Sequence, residues 1–278
     1  MARLKRISSS SPGSSSKVEP STHEGYVSAI LKASKKGNRR GNVIFLSDTL
    51  VAKECDSNFT ESETLRFIAA RTSIPVPRVI FTLAHNAKNY VIMERIDGQT
   101  LNEAWNSLSP PSRSKILGQV KAVVEEMREL VPEDPRAVCS VNGGPLFDSR
   151  LPNCDPKKGF GPFKSVQEFH TWLHSGTPSA EQSAGNNSGG AKGSERVVFT
   201  HGDVNPLNIL VKGDEVVGFI DWEFAGWYPY YWEYTATYRS NSVKAAWLWE
   251  AFEQTEVVGH FPKELETERE RVRMWGEM

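Results

Sequence analysis

The apolar pattern of this 278-residue chain changes character once, near Asp97, and that change limits the folds open to it. Before it, short apolar runs stand between turn residues. VIFLSDTLVAK (43–53) reads as two short strands around Ser47-Asp48, and RVIFTL (78–83) and NYVIM (89–93) as a strand pair around an Asn-containing turn. One helix is expected among them. Thr60 and Glu63 form a capping-box pattern opening a helix through Leu65, Phe67 and Ile68, which Pro75 and Pro77 stop.

From Asp97 onward helical patterns take over. Thr100 and Glu103 make a second capping-box pattern, and Ser109-Pro110 suits an N-cap followed by proline at the first helical position. That helix sets Ile116, Val120, Val123, Val124, Met127 and Leu130 mainly on one face. Ser165 and Glu168 open another helix, a strand pair (209–212 and 216–220) flanks Gly213-Asp214, and further helices are expected at 242–253 and 262–274. A small β-rich lobe (22–96) joined to a helix-rich lobe (97–278) is an α+β arrangement.

Two stretches offer nothing to bury: the serine-dominated residues 1–21, expected as a disordered tail, and 175–194, expected as a flexible insertion. The latter contains Gly185 and Gly190 at Walker A spacing, but Ala191 stands where the lysine belongs, which excludes a P-loop. Thirty-three basic residues nearly cancel 34 acidic ones, so no overall charge draws the chain to nucleic acid or an anionic membrane. No apolar run approaches the roughly 18–20 residues that span a bilayer. Three cysteines without CxxC spacing argue against a disulfide framework or a zinc site. The basic start MARLKR lacks an apolar h-region, and a cytoplasmic protein is expected.

Chemistry concentrates in VFTHGDVNPLNILV (198–211) and FIDWEFAG (219–226). Asp203 follows His201 by two residues and precedes Asn208 by five, and Asp221 ends the next strand after a Gly-Asp turn. A hairpin of that length returns Asp221 to Asn208. Their carboxylate and amide oxygens suit Mg²⁺, a hard cation that usually keeps nucleotide phosphates among its ligands. Asp203, upstream in the loop, stands where an incoming hydroxyl must be oriented and deprotonated. Each piece alone reads as an ordinary turn. Together they form the constellation of kinase-type phosphoryl transfer.

HGDVNPLNILV followed by FIDWEFAG resembles the small-molecule kinases of the aminoglycoside phosphotransferase and choline kinase superfamily, whose fold is protein-kinase-like. The likeness extends to LVAKE (50–54), SIPVPRVI (73–80), YVIMERIDGQTL (90–101) and GWYPYYWEY (226–234), covering roughly residues 40–260. Two features separate the chain from protein kinases: Gly202 replaces the usual catalytic-loop arginine, and no activation segment ending in Ala-Pro-Glu follows Asp221.

The resemblance implies an ATP- and Mg²⁺-dependent transfer to a hydroxyl of a small molecule, with Asp203 catalytic and Asn208 and Asp221 holding metal. It implies that Lys53 contacts the α- and β-phosphates. Glu61 and Glu63 are both available as its partner; Glu63 is the expected partner of the Thr60 cap, which favours Glu61. Glu94 and Ile96 lie in the implied hinge, whose backbone would bond the adenine. Gly37 and Gly41 flank a weak nucleotide loop with Arg39 and Arg40, and Glu223 is a candidate for a second metal or for orienting the loop. His201 is read as a brace rather than a base, the aromatic run 227–232 as packing, and Glu264, Glu266, Glu268 and Glu270 as a solvated helix face. The other readings of this pattern are a kinase-like binding or regulatory module without turnover, and a protein kinase. The acceptor itself is not legible from a fold.

Overall fold

The computed structural model describes residues 20–55, 60–174, 196–241 and 245–275. The expected insertion at 175–194 and most of the expected tail lie outside these residues. In the first part, β1 (Arg39–Arg40), β2 (Val43–Phe45), β3 (Leu50–Cys55), β4 (Val79–His85) and β5 (Lys88–Glu94) form an antiparallel sheet in the order β1-β2-β3-β5-β4. The β4–β5 hairpin closes on Asn86 and Ala87, both with positive φ (50° and 59°). A two-residue turn of that hand matches the twist of its strands.

Two helices flank this sheet. α1 (His23–Lys35), for which the sequence carried no recognised signal, starts at Thr22, whose side chain accepts from the Gly25 amide. It buries Tyr26, Ile30 and Ala33 in a cluster with Ile44, Leu50 and Leu83. α2 (Thr60–Arg71) turns Leu65 and Ile68 into the larger core.

The second part holds β6 (Gln99–Thr100), α3 (Leu101–Ala104), α4 (Pro110–Glu129) and α5 (Val166–His174). Then come β7 (Val197–Thr200), β8 (Ile209–Lys212), β9 (Glu215–Phe219), β10 (Gly226–Pro229), α6 (Trp232–Asn241), α7 (Ala246–Thr255) and α8 (Pro262–Trp275). Both bonds of the Thr100–Glu103 capping box are made, and Ser109 caps α4 through the Ser112 amide. The expected face of α4 is buried through Met127. β6, β8 and β9 form a three-stranded sheet, and β7 pairs with β10. The aromatic run packs as expected: Trp227, Tyr228, Tyr231 and Trp232 are buried, with Tyr228 and Trp232 stacked 5.3 Å apart.

Two expectations need correction. The helix expected at 242–253 is α7, which begins at Ala246, and an unexpected helix, α6, precedes it from Trp232 at the end of the aromatic run. Ala245 is outside helical geometry (φ −146°), and residues 242–244 of the expected helix lie outside the described residues. Thr60 is the first residue of α2 rather than the cap ahead of it, and Glu63 Oε2 accepts from Asn142 Nδ2 at 2.7 Å. A tertiary partner holds one oxygen of the carboxylate that local spacing assigned to the backbone.

Candidate active site

β3 runs antiparallel between β2 and β5, which seals the backbone around Lys53 and leaves the side chain 5 % exposed. An ammonium so buried requires counter-charge. Its Nζ lies 2.8 Å from Glu61 Oε2, 2.5 Å from Asp221 Oδ1 and 3.4 Å from Glu223 Oε2. Burial acts to lower the Lys53 pKa, but the three carboxylates outweigh it and raise it well above the ordinary value. Glu61 is the lysine's partner, in the first turn of α2, and its other oxygen accepts from the Trp222 amide at 3.2 Å.

Three carboxylates against one ammonium leave an excess of negative charge. Burial, with the nearby charges of Asp221 and Glu61 acting in the same sense, pushes the Glu223 carboxyl up to about 7 despite the pull of Lys53. Single oxygens of Glu61, Asp221 and Glu223 lie within 4.8 Å of one another. An all-oxygen donor set with an excess of negative charge fits a hard divalent cation. Asp221 takes a positive φ of 67°. A non-glycine residue held there stores strain, the kind of feature that clusters at functional sites.

The segment 201–208 is joined to this cluster through Ile220. Ile220 donates its amide to the Asn208 carbonyl at 3.0 Å, and its own carbonyl lies 3.1 Å from His201 Nε2. Asp221 is therefore fixed against the loop by its neighbour's backbone. His201 is fully buried; its Nδ1 accepts from the Asp203 amide at 3.2 Å. Both ring nitrogens are engaged and burial lowers its pKa, so the ring holds the loop as a neutral group. Gly202 adopts φ +79°, and a Cβ there would lie 2.8 Å from the Phe224 carbonyl oxygen. A side chain at this position would be strained and would force the loop to shift.

Asp203 Oδ2 accepts from Asn208 Nδ2 at 2.9 Å and from Asn205 Nδ2 at 3.0 Å. Asn208 Nδ2 also reaches the Asp203 carbonyl at 3.0 Å. These contacts engage the Asn208 amide nitrogen, and among the described residues its side-chain oxygen accepts no hydrogen bond.

The remaining residues singled out by the sequence are peripheral to these contacts. Glu94 ends β5 with an exposed side chain, and its amide donates to the Arg78 carbonyl. Ile96 packs its side chain over Gly218, where a Cβ would lie 2.6 Å from Ile96 Cδ1. Arg39 pairs with Glu54 and Arg40 approaches Glu103 at 3.7 Å, so both arginines of the glycine-flanked hairpin have carboxylate neighbours. The acids of α8 are not a free field either: Glu268 is buried against Arg271 and Arg239.

Sequence reasoning missed the residues that hold the loop. Glu233 of α6, 2 % exposed, accepts from the amides of His201 (2.7 Å) and Gly202 (3.1 Å). Asn241, also buried, donates to the Val204 carbonyl at 3.0 Å. Arg150 Nη1 donates to Asp203 Oδ1 at 2.8 Å, and Ser240 Oγ lies 2.6 Å from the same oxygen. Glu233 lay within GWYPYYWEY, where a lone acid among aromatics was a usable signal. Arg150 comes from a segment without periodicity, and nothing local pointed to it.

Comparison with known proteins bears on family and fold. The model of the phosphotransferase enzyme family matches residues 56–275. Aminoglycoside 3′-phosphotransferases of Enterococcus faecalis and Staphylococcus aureus are each 24 % identical over 199 residues, a match covering 63 % of this chain and 65 % of theirs. A thermostable mutant of aminoglycoside phosphotransferase APH(4)-Ia, in ternary complex with ADP and hygromycin B, superposes with a TM-score of 0.53 at 15 % identity over 89 % of both chains. A different variant of that thermostable mutant, in ternary complex with AMP-PNP and hygromycin B, gives 0.52 at 16 % identity, again over 89 % of both chains. The structural likeness is one of fold, the two-lobed kinase-like architecture. A family match running from just ahead of α2 to the last helix decides the assignment: the chain belongs to the phosphotransferase enzyme family.

Proposed function

We propose that this protein transfers the γ-phosphoryl group of ATP, with Mg²⁺, to a hydroxyl of a small molecule. The observation that carries this reading is the joining of two half-sites by Ile220: the Lys53–Glu61–Asp221 charge cluster on one side, the Asp203–Asn208 pair on the other. In this reading Lys53 binds the α- and β-phosphates, held by Glu61. Asp221 and Asn208 hold the metal, with Glu223 available to a second ion. When bound, Mg²⁺ neutralises charge on the phosphates.

Asp203 orients the acceptor hydroxyl and takes its proton. The hydroxyl oxygen forms the new bond to phosphorus as the bond to the ADP oxygen breaks, so alignment and electrostatics supply most of the rate. The Glu94 and Arg95 amides already donate to Arg78 and Thr49, so adenine recognition falls to the backbone of Ile96 and to hinge carbonyls. The relatives named above support an acceptor among hydroxylated small molecules. We place the protein in the cytoplasm, a reading supported by the free thiols Cys55, Cys139 and Cys154 and by the lack, among the described residues, of a helix long and apolar enough to cross a membrane.

The test separates chemistry from binding. Asp203→Asn is expected to lower transfer by about 10²–10⁴-fold, the usual worth of a positioned base, while calorimetry shows Mg·ATP still bound. Wild-type transfer by that variant removes Asp203 from its role. A wild-type protein that Mg·ATP fails to stabilise in thermal unfolding instead points to a kinase-like module without turnover.

A further inference from the structure

Four donors surround the Asp203 carboxylate. Oδ1 accepts from Arg150 Nη1 and Ser240 Oγ, and Oδ2 from Asn205 and Asn208. An ionised carboxylate offers about four lone-pair sites. An acceptor hydroxyl must therefore displace one donor before Asp203 can take its proton.

Three of the four are fixed in place. Arg150 has every N–H engaged: Nε and Nη2 fork onto Asp148 at 2.8 Å each, and Nη2 also donates to the Gly202 carbonyl at 2.6 Å. Its Nη1 serves Asp203 at 2.8 Å and Ser240 Oγ at 2.5 Å. The guanidinium stacks on Phe224, 4.4 Å from the ring centroid. Asp148 is buried, and Arg239 stands 4.0 Å from it on the other side. With no N–H left over, Arg150 is unsuited to binding phosphate and acts as a strut. Asn205 and Asn208 are each anchored a second time on the Asp203 carbonyl.

Ser240 differs from these three. It lies in the last turn of α6, half-buried, and a second acceptor, the Ala236 carbonyl, is 3.1 Å from its Oγ. Its proton can turn to that carbonyl without losing a hydrogen bond. It is also the sole hydroxyl among the four donors, the functional group that an alcohol acceptor would present.

We propose that Arg150 is the positioning residue of the Asp203 carboxylate and that Ser240 Oγ marks the seat the acceptor hydroxyl takes. This inference rests on the reading of Asp203 as the group that orients the acceptor.

Phosphate release from Mg·ATP, with water as the acceptor, tests it on the full chain. Arg150→Met is expected to lower kcat by about 10²-fold, the usual cost of a misplaced reacting group, with KM for ATP unchanged. Arg150→Lys does not restore the rate, because one ammonium cannot span Asp148, Gly202 and Asp203 together. Millimolar guanidinium ion restores part of the rate to Arg150→Ala, a response that a merely structural role would not give. Ser240→Ala, which opens a lone pair of Asp203 to water, is expected to raise phosphate release. The proposal is overturned if Arg150→Met keeps the wild-type kcat while Asp203→Asn is inactive. A fall in Ser240→Ala that matches the Arg150 variants overturns the seat. Full activity in Asp203→Asn is a different failure, that of the underlying reading of Asp203.

Discussion

At the scale of single residues, the site depends on groups held in unfavourable states. Asp221 keeps a positive φ while its carboxylate faces Lys53. Asp221→Asn retains the shape but removes one of the charges that suit a divalent cation. It is expected to abolish most of the Mg²⁺-dependent gain in thermal stability that ATP gives the wild type; an unchanged gain would withdraw the metal assignment. Gly202 is a second such position, with φ +79° and the Phe224 carbonyl where a Cβ would point. Gly202→Ala forces the loop to shift and is expected to cost about 1–3 kcal/mol, read as a lower denaturation midpoint together with a loss of transfer. The catalytic-loop motif was legible here because its members are close in sequence. The conformation of Gly202 was not, since its reason is a carbonyl twenty-two residues away.

At the scale of elements, α2 is the piece that ties the two lobes. Glu61 reaches the Trp222 amide, Glu63 reaches Asn142, and Ser73 just beyond the helix donates to Glu126 of α4. Phe67 adds packing, 5.3 Å from Phe199 and 6.0 Å from Trp227, centroid to centroid. These contacts keep Glu61 against Lys53. Phe67→Leu removes both aromatic contacts and is expected to cost about 1 kcal/mol, a fall in Tm of roughly 2–4 °C for a chain of this size. Calorimetry with and without Mg·ATP checks it, with weaker nucleotide binding expected as the helix loosens. The helix itself was readable from its apolar spacing. Its role as a tie was not, because every partner is remote in sequence.

At the scale of the whole molecule, the buried carboxylate of Glu233 makes stability depend on pH. Burial pushes it up to about 7, against the opposing donation of the His201 and Gly202 amides. A carboxyl whose pKa is higher folded than unfolded binds its proton more tightly in the native state. Its contribution is therefore full below the unfolded value and is lost as pH rises towards 7. Over that window the loss is on the order of 3 kcal/mol. Glu233→Gln cannot ionise, so its stability should fall less than that of the wild type between about pH 4.5 and 7.5 in denaturant titrations. Parallel curves for the two proteins would refute the assignment.

The sequence by itself determined the elements and the chemistry that depends on short spacing. Apolar periodicity marked α2 and α4, turn residues marked the hairpins, and the offsets of Asp203, Asn208 and Asp221 marked the phosphoryl-transfer motif, because neighbours along a chain must be neighbours in space. Tertiary structure decided what distance along the chain conceals. Glu61 rather than Glu63 faces Lys53, and Glu63 meets Asn142 instead. Glu233 and Asn241 hold the loop from α6. Arg150, fifty-three residues before Asp203, meets its carboxylate only because the fold buries Asp148 beside them. Such contacts follow from which surfaces pack together, and no local pattern encodes that choice.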